Sequence, residues 1–282
     1  TNIGVIYMTD KTIFGDMSEE EIRAEAGMGA PKSVPSYIVQ LRSTGNHKDK
    51  NNGDKVTQYL GCWNVWDKDT EQFIYAPSVS LRPFIKRNQY MTWSNKDRNF
   101  SAESILISFG EEAFDTLGTT KCGYVIKKNR ADLTPDQKER ADNTNFFRII
   151  YGLIDMDGEN SKGDKVSLKQ YPVQLKFAGG NAAVLSNLDS LLSNKGILWS
   201  NKVNLTLEDK ITGGNTYYKI VIGKITSLDI SANLLEDSDD GRAYQLFKNE
   251  IDAKNNQVME KYHAHLKKYA DDTASVSKVT NS

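Results

Sequence analysis

Two strand-like runs, a helical stripe and two further strand-like runs succeed one another between Phe146 and Ile222. This order narrows the fold more than any other feature of the chain. Phe146–Ile154 is a β-branched and aromatic run, and Val173 to Phe177 alternates apolar with polar residues. Val184, Leu185, Leu188, Leu191 and Leu192 recur at helical spacing, and Gly196 closes that helix. Val203–Leu207 alternates again, and Gly213-Gly214 turns the chain into Tyr217–Ile222.

Strand, strand, helix, strand, strand is the order of the later part of an OB-type Greek-key barrel. An α+β sandwich produces a similar pattern. The expected fold class is α+β and β-rich: an OB-like barrel with an N-terminal extension and a long C-terminal helix. Upstream, Tyr37–Leu41, Tyr59–Trp63, Gln72–Tyr75 and Ser104–Ile107 read as short strands, with polar turns such as Asn51–Asp54 and Asp67–Asp69 between them. Ser18 and Glu21 have capping-box spacing at the start of an N-terminal helix that follows a strand. Thr134 to Gln137 opens a short charged helix with proline at its first position. Beyond Ile230 an acidic turn, Asp237–Asp240, leads into a helix from Ala243 to Ala270. Phe247, Ile251, Val258 and Tyr262 mark one face of it, to pack either on the parent domain or on another subunit. The organisation expected is an extension over 1–35, a β-rich core with insertions over 36–228, a helical segment over 229–270 and a disordered tail over 271–282.

The 282 residues can bury a sizeable core, and no apolar run approaches the length of a membrane span. Thr1–Met8 carries neither the basic patch nor the apolar region of a secretory signal, so a cytoplasmic location without membrane contact is expected. Two cysteines, Cys62 and Cys122, supply neither a disulfide framework nor a cysteine zinc site. The net charge is −1, but the sum hides a polarity: residues 165–224 hold eight lysines and three acids, whereas 229–282 hold ten acids and seven bases. Local sign matters more to a polyanion than the total.

Catalytic motifs are missing. The glycine-rich phosphate loops and the Gly-x-Ser-x-Gly elbow do not occur. His263 and His265, two apart on a helix, do not share a face. Asp155–Asn160 has its glycine in the wrong place for a calcium loop and reads instead as a hairpin turn. Glu208-Asp209-Lys210 is the one triplet suited to a metal-dependent nuclease. The expectation is a chain that is not an enzyme and has no metal site and no cofactor.

What remains is a binding signature. Arg82 to Phe100 holds five basic residues, one acid and four aromatics in nineteen positions. Single-stranded nucleic acid needs both elements, cations along its phosphates and flat rings against its bases. The candidate contacts are Arg82, Phe84, Lys86, Arg87, Tyr90 and Trp93, extended by Lys121 and Lys128, with Lys176, Trp199, Lys202, Tyr217 and Lys219 on the later block. Against this stands the ordinary fate of such residues: rings on strands fill cores, and Lys or Arg on strands form the wet face.

Leu81-Arg82-Pro83-Phe84 with Gln89-Tyr90, Thr120–Gly123, Phe147-Arg148 with Tyr151-Gly152-Leu153, and Pro172–Phe177 with Gly179 resemble, in pattern and order, phage-encoded single-stranded DNA-binding proteins. The resemblance covers about 55 to 225. It implies an OB-fold that coats replication, recombination or transcription intermediates in the host cytoplasm, with single-stranded DNA and replication or transcription proteins as partners and self-association through the 243–270 helix. One departure is the tail: Thr273–Ser282 contains no acid, so the Glu236–Asp240 stretch is the better candidate for a competing acidic element. Two alternatives stand beside this reading: a phage structural or protein-interaction protein that binds no nucleic acid, and the nuclease.

Overall fold

A computed structural model describes residues 38–43, 59–94, 99–108, 111, 113–116, 130–212, 215–230 and 234–279. They fall within one unit, Ile38–Ser282. The expected N-terminal strand and helix, the Asn51–Asp54 and Gly213-Gly214 turns, Thr120–Gly123, Lys121 and Lys128 lie outside the described residues.

The chain is α+β and strand-rich. β1 (Val39–Ser43), β2 (Trp63–Asp67) and β3 (Gln72–Ala76) precede two strands of 17 residues each, β4 (Ser78–Ser94) and β6 (Thr144–Asn160). β5 (Asn99–Glu103) pairs with the end of β4, and α1 (Pro135–Asp142) leads into β6. β7 (Lys165–Phe177), α2 (Ala182–Leu192), β8 (Asn201–Thr212) and β9 (Asn215–Ser227) follow in the expected order, and α3 (Asp239–Val279) ends the fold. The sheet order is β3-β2-β1-β7-β6-β4-β8-β9. β3 also pairs with the far end of β6, Ile74 opposite Asn160, so β1, β2, β3, β6 and β7 form a closed cycle of pairings. Gly158 makes the approach possible, because a Cβ there would sit 2.2 Å from the Tyr75 carbonyl oxygen. Within the cycle only β1 and β7 run parallel. The β8–β9 hairpin extends from the Ser78–Leu81 end of β4.

Period-two alternation divides the side chains between two faces. The inner set includes Leu41, Trp63, Val65, Ile74, Ile150, Leu175 and Phe177, and the apolar stripe of α2 (Val184, Leu185, Leu188, Leu192) closes it. The outer set gathers Phe84, Ile85, Ile149, Tyr151 and Leu153 beneath Phe247 and Ile251 of α3. A register shift between Pro83 and Ile85 is why both Phe84 and Ile85 point to α3: the bulged residue reverses the alternation.

Several boundaries differ from the sequence expectation. Tyr59–Gly61 is a turn, and the strand begins only at Trp63. Ser104 and Ile107 make isolated bridges instead of a strand. Asp155–Asn160 is not a hairpin turn: β6 runs through it, and the reversal follows Asn160, whose Oδ1 accepts from the Lys162 and Asp164 amides at 2.9 and 3.0 Å. The apolar stripe of α3 packs on its own domain, with Phe247, Ile251 and Val258 buried and Tyr262 edge-on to Phe114 at 4.7 Å. The helix also continues to Val279, through residues expected to be disordered. α1 matches its signal closely, since Thr134 and Gln137 form the full capping box.

Candidate nucleic-acid interface

The basic-aromatic stretch that stands out in the sequence is not a loop. Most of it is β4, and a strand cannot present consecutive residues to one side. Past the bulge, Lys86, Asn88 and Tyr90 share a face with their β6 partners Ile150, Arg148 and Phe146. α2 forms the opposite wall. The result is a cleft of about 410 Å³ lined by Lys86, Arg87, Asn88, Phe146, Arg148, Leu185, Ser186 and Asp189.

Cations and rings share this face, with Tyr90 just beyond the residues that line the cleft. Tyr90 and Phe146 meet at 4.8 Å with a 40° tilt, and the Arg148 guanidinium lies 5.8 Å from the Phe146 ring. Burial pushes the Tyr90 hydroxyl above its ordinary pKa, so it stays a neutral donor. Lys86 pairs with Asp189 at 2.5 Å, both side chains more than a third exposed. Arg148 donates to the Ser186 hydroxyl, and Arg87 donates to the carbonyl oxygen of Lys86. Among the described residues neither arginine has a carboxylate partner. The surface pair of Lys86 is worth about 0–1 kcal/mol, little enough for a phosphate to displace the aspartate.

Other predicted contacts have structural employment, and four are withdrawn from the interface. Phe84 is 2 % exposed, packed between Trp199 and Phe247. Arg82 is buried, donating from Nε to the Trp199 carbonyl at 2.7 Å and from both terminal nitrogens to Asp240, which ties β4 to the first turn of α3. Trp199 packs against Phe84 and Tyr244. Lys202 pairs with Asp155 at 2.6 Å. In each case a ring or charge that looks available in the sequence satisfies the core or a neighbour.

The remaining candidates are dispersed. Trp93 sits at the exposed end of β4, near Asn143, whose carbonyl accepts its amide at 2.9 Å. Tyr217 and Lys219 are exposed on β9, opposite Lys210 and Glu208. They lie past the Ser78 end of β4, outside the residues that line the cleft. Lys176 is on the outer face, with its ammonium 6.0 Å from the Phe147 ring.

Phe146 and Arg148 are cleft residues that sequence reasoning missed. Nothing local marks them, because their role depends on facing Tyr90 and Asn88 across a pairing of distant segments. A second missed group is an aromatic ladder on the outside of β2 and β3. Trp66 meets Phe73 edge-on at 5.0 Å, Phe73 lies 6.3 Å from Tyr75, and Tyr75 stacks on Tyr59 at 4.2 Å. Here a local signal did exist, since alternation from the core residues Trp63 and Val65 places Trp66 outside.

The ladder ends at a second cleft of about 530 Å³, which includes Tyr59, Cys62, Tyr75, Glu159 and Lys165. Its charges are compensated, Lys165 pairing with Glu159 at 2.7 Å. Burial and the Glu159 carboxylate hold the Cys62 thiol protonated by raising its pKa, which disfavours a nucleophilic or metal-binding thiolate. Among the described residues, no group of three His, Cys, Asp or Glu side chains is placed to hold a metal, and no helix is long and apolar enough to cross a membrane. No protein-family model, curated protein or solved structure matches the chain.

Proposed function

We propose that this protein binds single-stranded DNA with little sequence preference and without catalysis, using the cleft between β4, β6 and α2. The observation that carries the proposal is the shared face of Lys86, Asn88 and Tyr90 with Phe146 and Arg148. Cations beside a tilted pair of rings provide the two elements that a flexible polyanion with flat bases requires. We further take the cycle of β1, β2, β3, β6 and β7, with α2 sealing its interior, as an OB-like barrel. The closed pairing order and the position of α2 against the inner core support that reading.

The electrostatic part of the binding is small. Lys86, Arg87 and Arg148 neutralise three phosphates at most, which sets a slope of log K against log salt of about −2 at roughly −0.7 per phosphate. Affinity therefore depends on stacking, at ~1–3 kcal/mol per base. A salt titration of binding to a fluorescent oligonucleotide tests this. Lys86→Ala with Arg148→Ala is expected to flatten the slope by about 1.4, and Tyr90→Ala to weaken binding roughly fivefold or more at every salt concentration. Binding weaker than micromolar at low salt, or binding indifferent to all three substitutions, overturns the proposal and leaves the protein-interaction reading.

A further inference from the structure

The outer face of the sheet carries a second concentration of positive charge, separate from the cleft. Lys176 on β7 opposes Ile149 on β6, whose side chain packs in the outer cluster. β1 runs parallel beside β7 with Leu41 opposite Leu175, so the next residues along, Arg42 and Lys176, are neighbours on the outer side. α3 adds a third cation from above. Lys254 Nζ donates to Gln174 Oε1 at 3.3 Å, and Gln174 is the partner of Gln40 in the β1–β7 register. Three elements distant in sequence thus bring Arg42, Lys176 and Lys254 together around two glutamine side chains.

The local carboxylates are already engaged. Glu103 pairs with Lys261 at 2.5 Å, whereas Glu250 pairs with Lys254 at 2.9 Å and so offsets one of the three cations while leaving Lys176 and Arg42 without a carboxylate among the described residues. Arg42 donates to Gln40 Oε1 at 2.7 Å. Among the described residues, Lys176 has no carboxylate or hydrogen-bond partner and touches only the face of Phe147. Burial, together with the like charges of Lys254 and Arg42, lowers its pKa, against a weaker opposing pull from Glu103. A partly buried cation beside two others, without a direct counter-ion, gains from an anion that completes the site.

We propose that Lys176, Arg42 and Lys254 form a phosphate-binding site on the outer face, at the junction of β1, β7 and α3. A guanidinium, two ammonium groups and the amides of Gln40 and Gln174 supply donors from several directions, which suits the oxygens of a phosphate group. The phosphate comes either from a nucleic-acid backbone or from a free phosphate. The site does not depend on the cleft, which lies on the other side of the sheet. Because Lys254 belongs to α3, an occupied site also fastens that helix to the sheet.

The experiment is a titration of the full chain with inorganic phosphate, followed by phosphorus NMR line broadening and by thermal unfolding against sodium chloride at equal ionic strength. Phosphate is excluded from protein surfaces and stabilises folded chains in general, so the quantity read is the difference between wild type and variants. Saturable binding is expected, weakened at least fivefold by Lys176→Gln and by Arg42→Gln. Among the described residues Lys176 makes no hydrogen bond, so its replacement leaves the fold intact by circular dichroism, and Lys254→Gln provides a second variant on a different element. No saturable binding, or equal binding in wild type and all three variants, overturns the site. A short oligodeoxynucleotide then separates the sources. Competition with phosphate assigns the site to a nucleic-acid backbone, and lack of competition assigns it to a free phosphate. Lys86→Ala with Arg148→Ala leaves phosphate binding unchanged in either case, so failure of the cleft and failure of this site are distinguishable.

Discussion

The two faces of the sheet are covered by helices of different kinds. α2 covers the inner face with a short apolar stripe, and Leu188 is 1 % exposed at its centre. α3 covers the outer face with Phe247, Ile251 and Val258, but also with polar tethers: Asp240 to Arg82, Asn255 to the backbone of Leu106, and Lys261 to Glu103. It leaves the hydroxyl of Tyr151 and the indole nitrogen of Trp199 buried without a hydrogen-bond partner among the described residues. An apolar seal gains free energy from area alone, whereas a polar one gains it only where every group finds a partner. The inner face is therefore held chiefly by apolar area, and the outer face by area together with polar pairing.

The largest effects should come from the apolar anchors. Phe247→Ala removes a fully buried ring that touches Phe84 and Tyr151, and is expected to destabilise by about 3–5 kcal/mol in denaturant unfolding. Leu188→Ala on the other face should cost about 2–5 kcal/mol. The comparison is sharpened by native-state hydrogen exchange. Phe247→Ala should loosen α3 while β6 and β7 stay protected, whereas Leu188→Ala should lower protection across the sheet. Equal loss everywhere in both variants would mean that the two faces are one cooperative unit.

Next come the ion pairs of β4, which look alike in sequence and differ in burial. The Arg82 side chain is 8 % exposed and that of Asp240 27 %, while Lys86 and Asp189 are 38 % and 42 % exposed. Arg82→Ala strands an aspartate and the Trp199 carbonyl, at an expected cost of about 2–4 kcal/mol in urea unfolding. Lys86→Ala is expected to cost under about 1 kcal/mol while weakening oligonucleotide binding. If the two substitutions destabilise equally, the division between a structural and a functional cation on this strand is wrong.

That division also shows what could be read from the chain alone. The order β6, β7, α2, β8, β9 was legible because each element carries its own periodicity, and α1 because its cap is local. The length of β4 was not. Lys86-Arg87-Asn88-Gln89 is polar on both sides, so its alternation is invisible until one face is known to lie in a cleft and the other under α3. The bulge at Phe84 hides the pattern further by placing two successive apolar residues on one side. The cleft was half legible: Lys86 and Arg87, with Tyr90 beside them, belong to the basic-aromatic segment, but Phe146 and Arg148 join them only through long-range pairing. Arg82 and Phe84 misled for the opposite reason, because their partners Asp240 and Phe247 lie more than 150 residues away.

The smallest expected effect has the opposite sign. Tyr151 lies between the Phe247 ring at 6.1 Å and the Lys254 ammonium at 5.6 Å. Burial pushes its hydroxyl well above the ordinary tyrosine pKa, with the nearby Glu250 carboxylate adding to the rise. The neutral hydroxyl is thus retained at all ordinary pH, yet it is desolvated without a partner. Tyr151→Phe keeps the ring and both of its contacts while removing that desolvation, so it should be neutral or should stabilise by up to about 1 kcal/mol in urea unfolding. A loss above about 1 kcal/mol would show instead that the hydroxyl is hydrogen-bonded in solution.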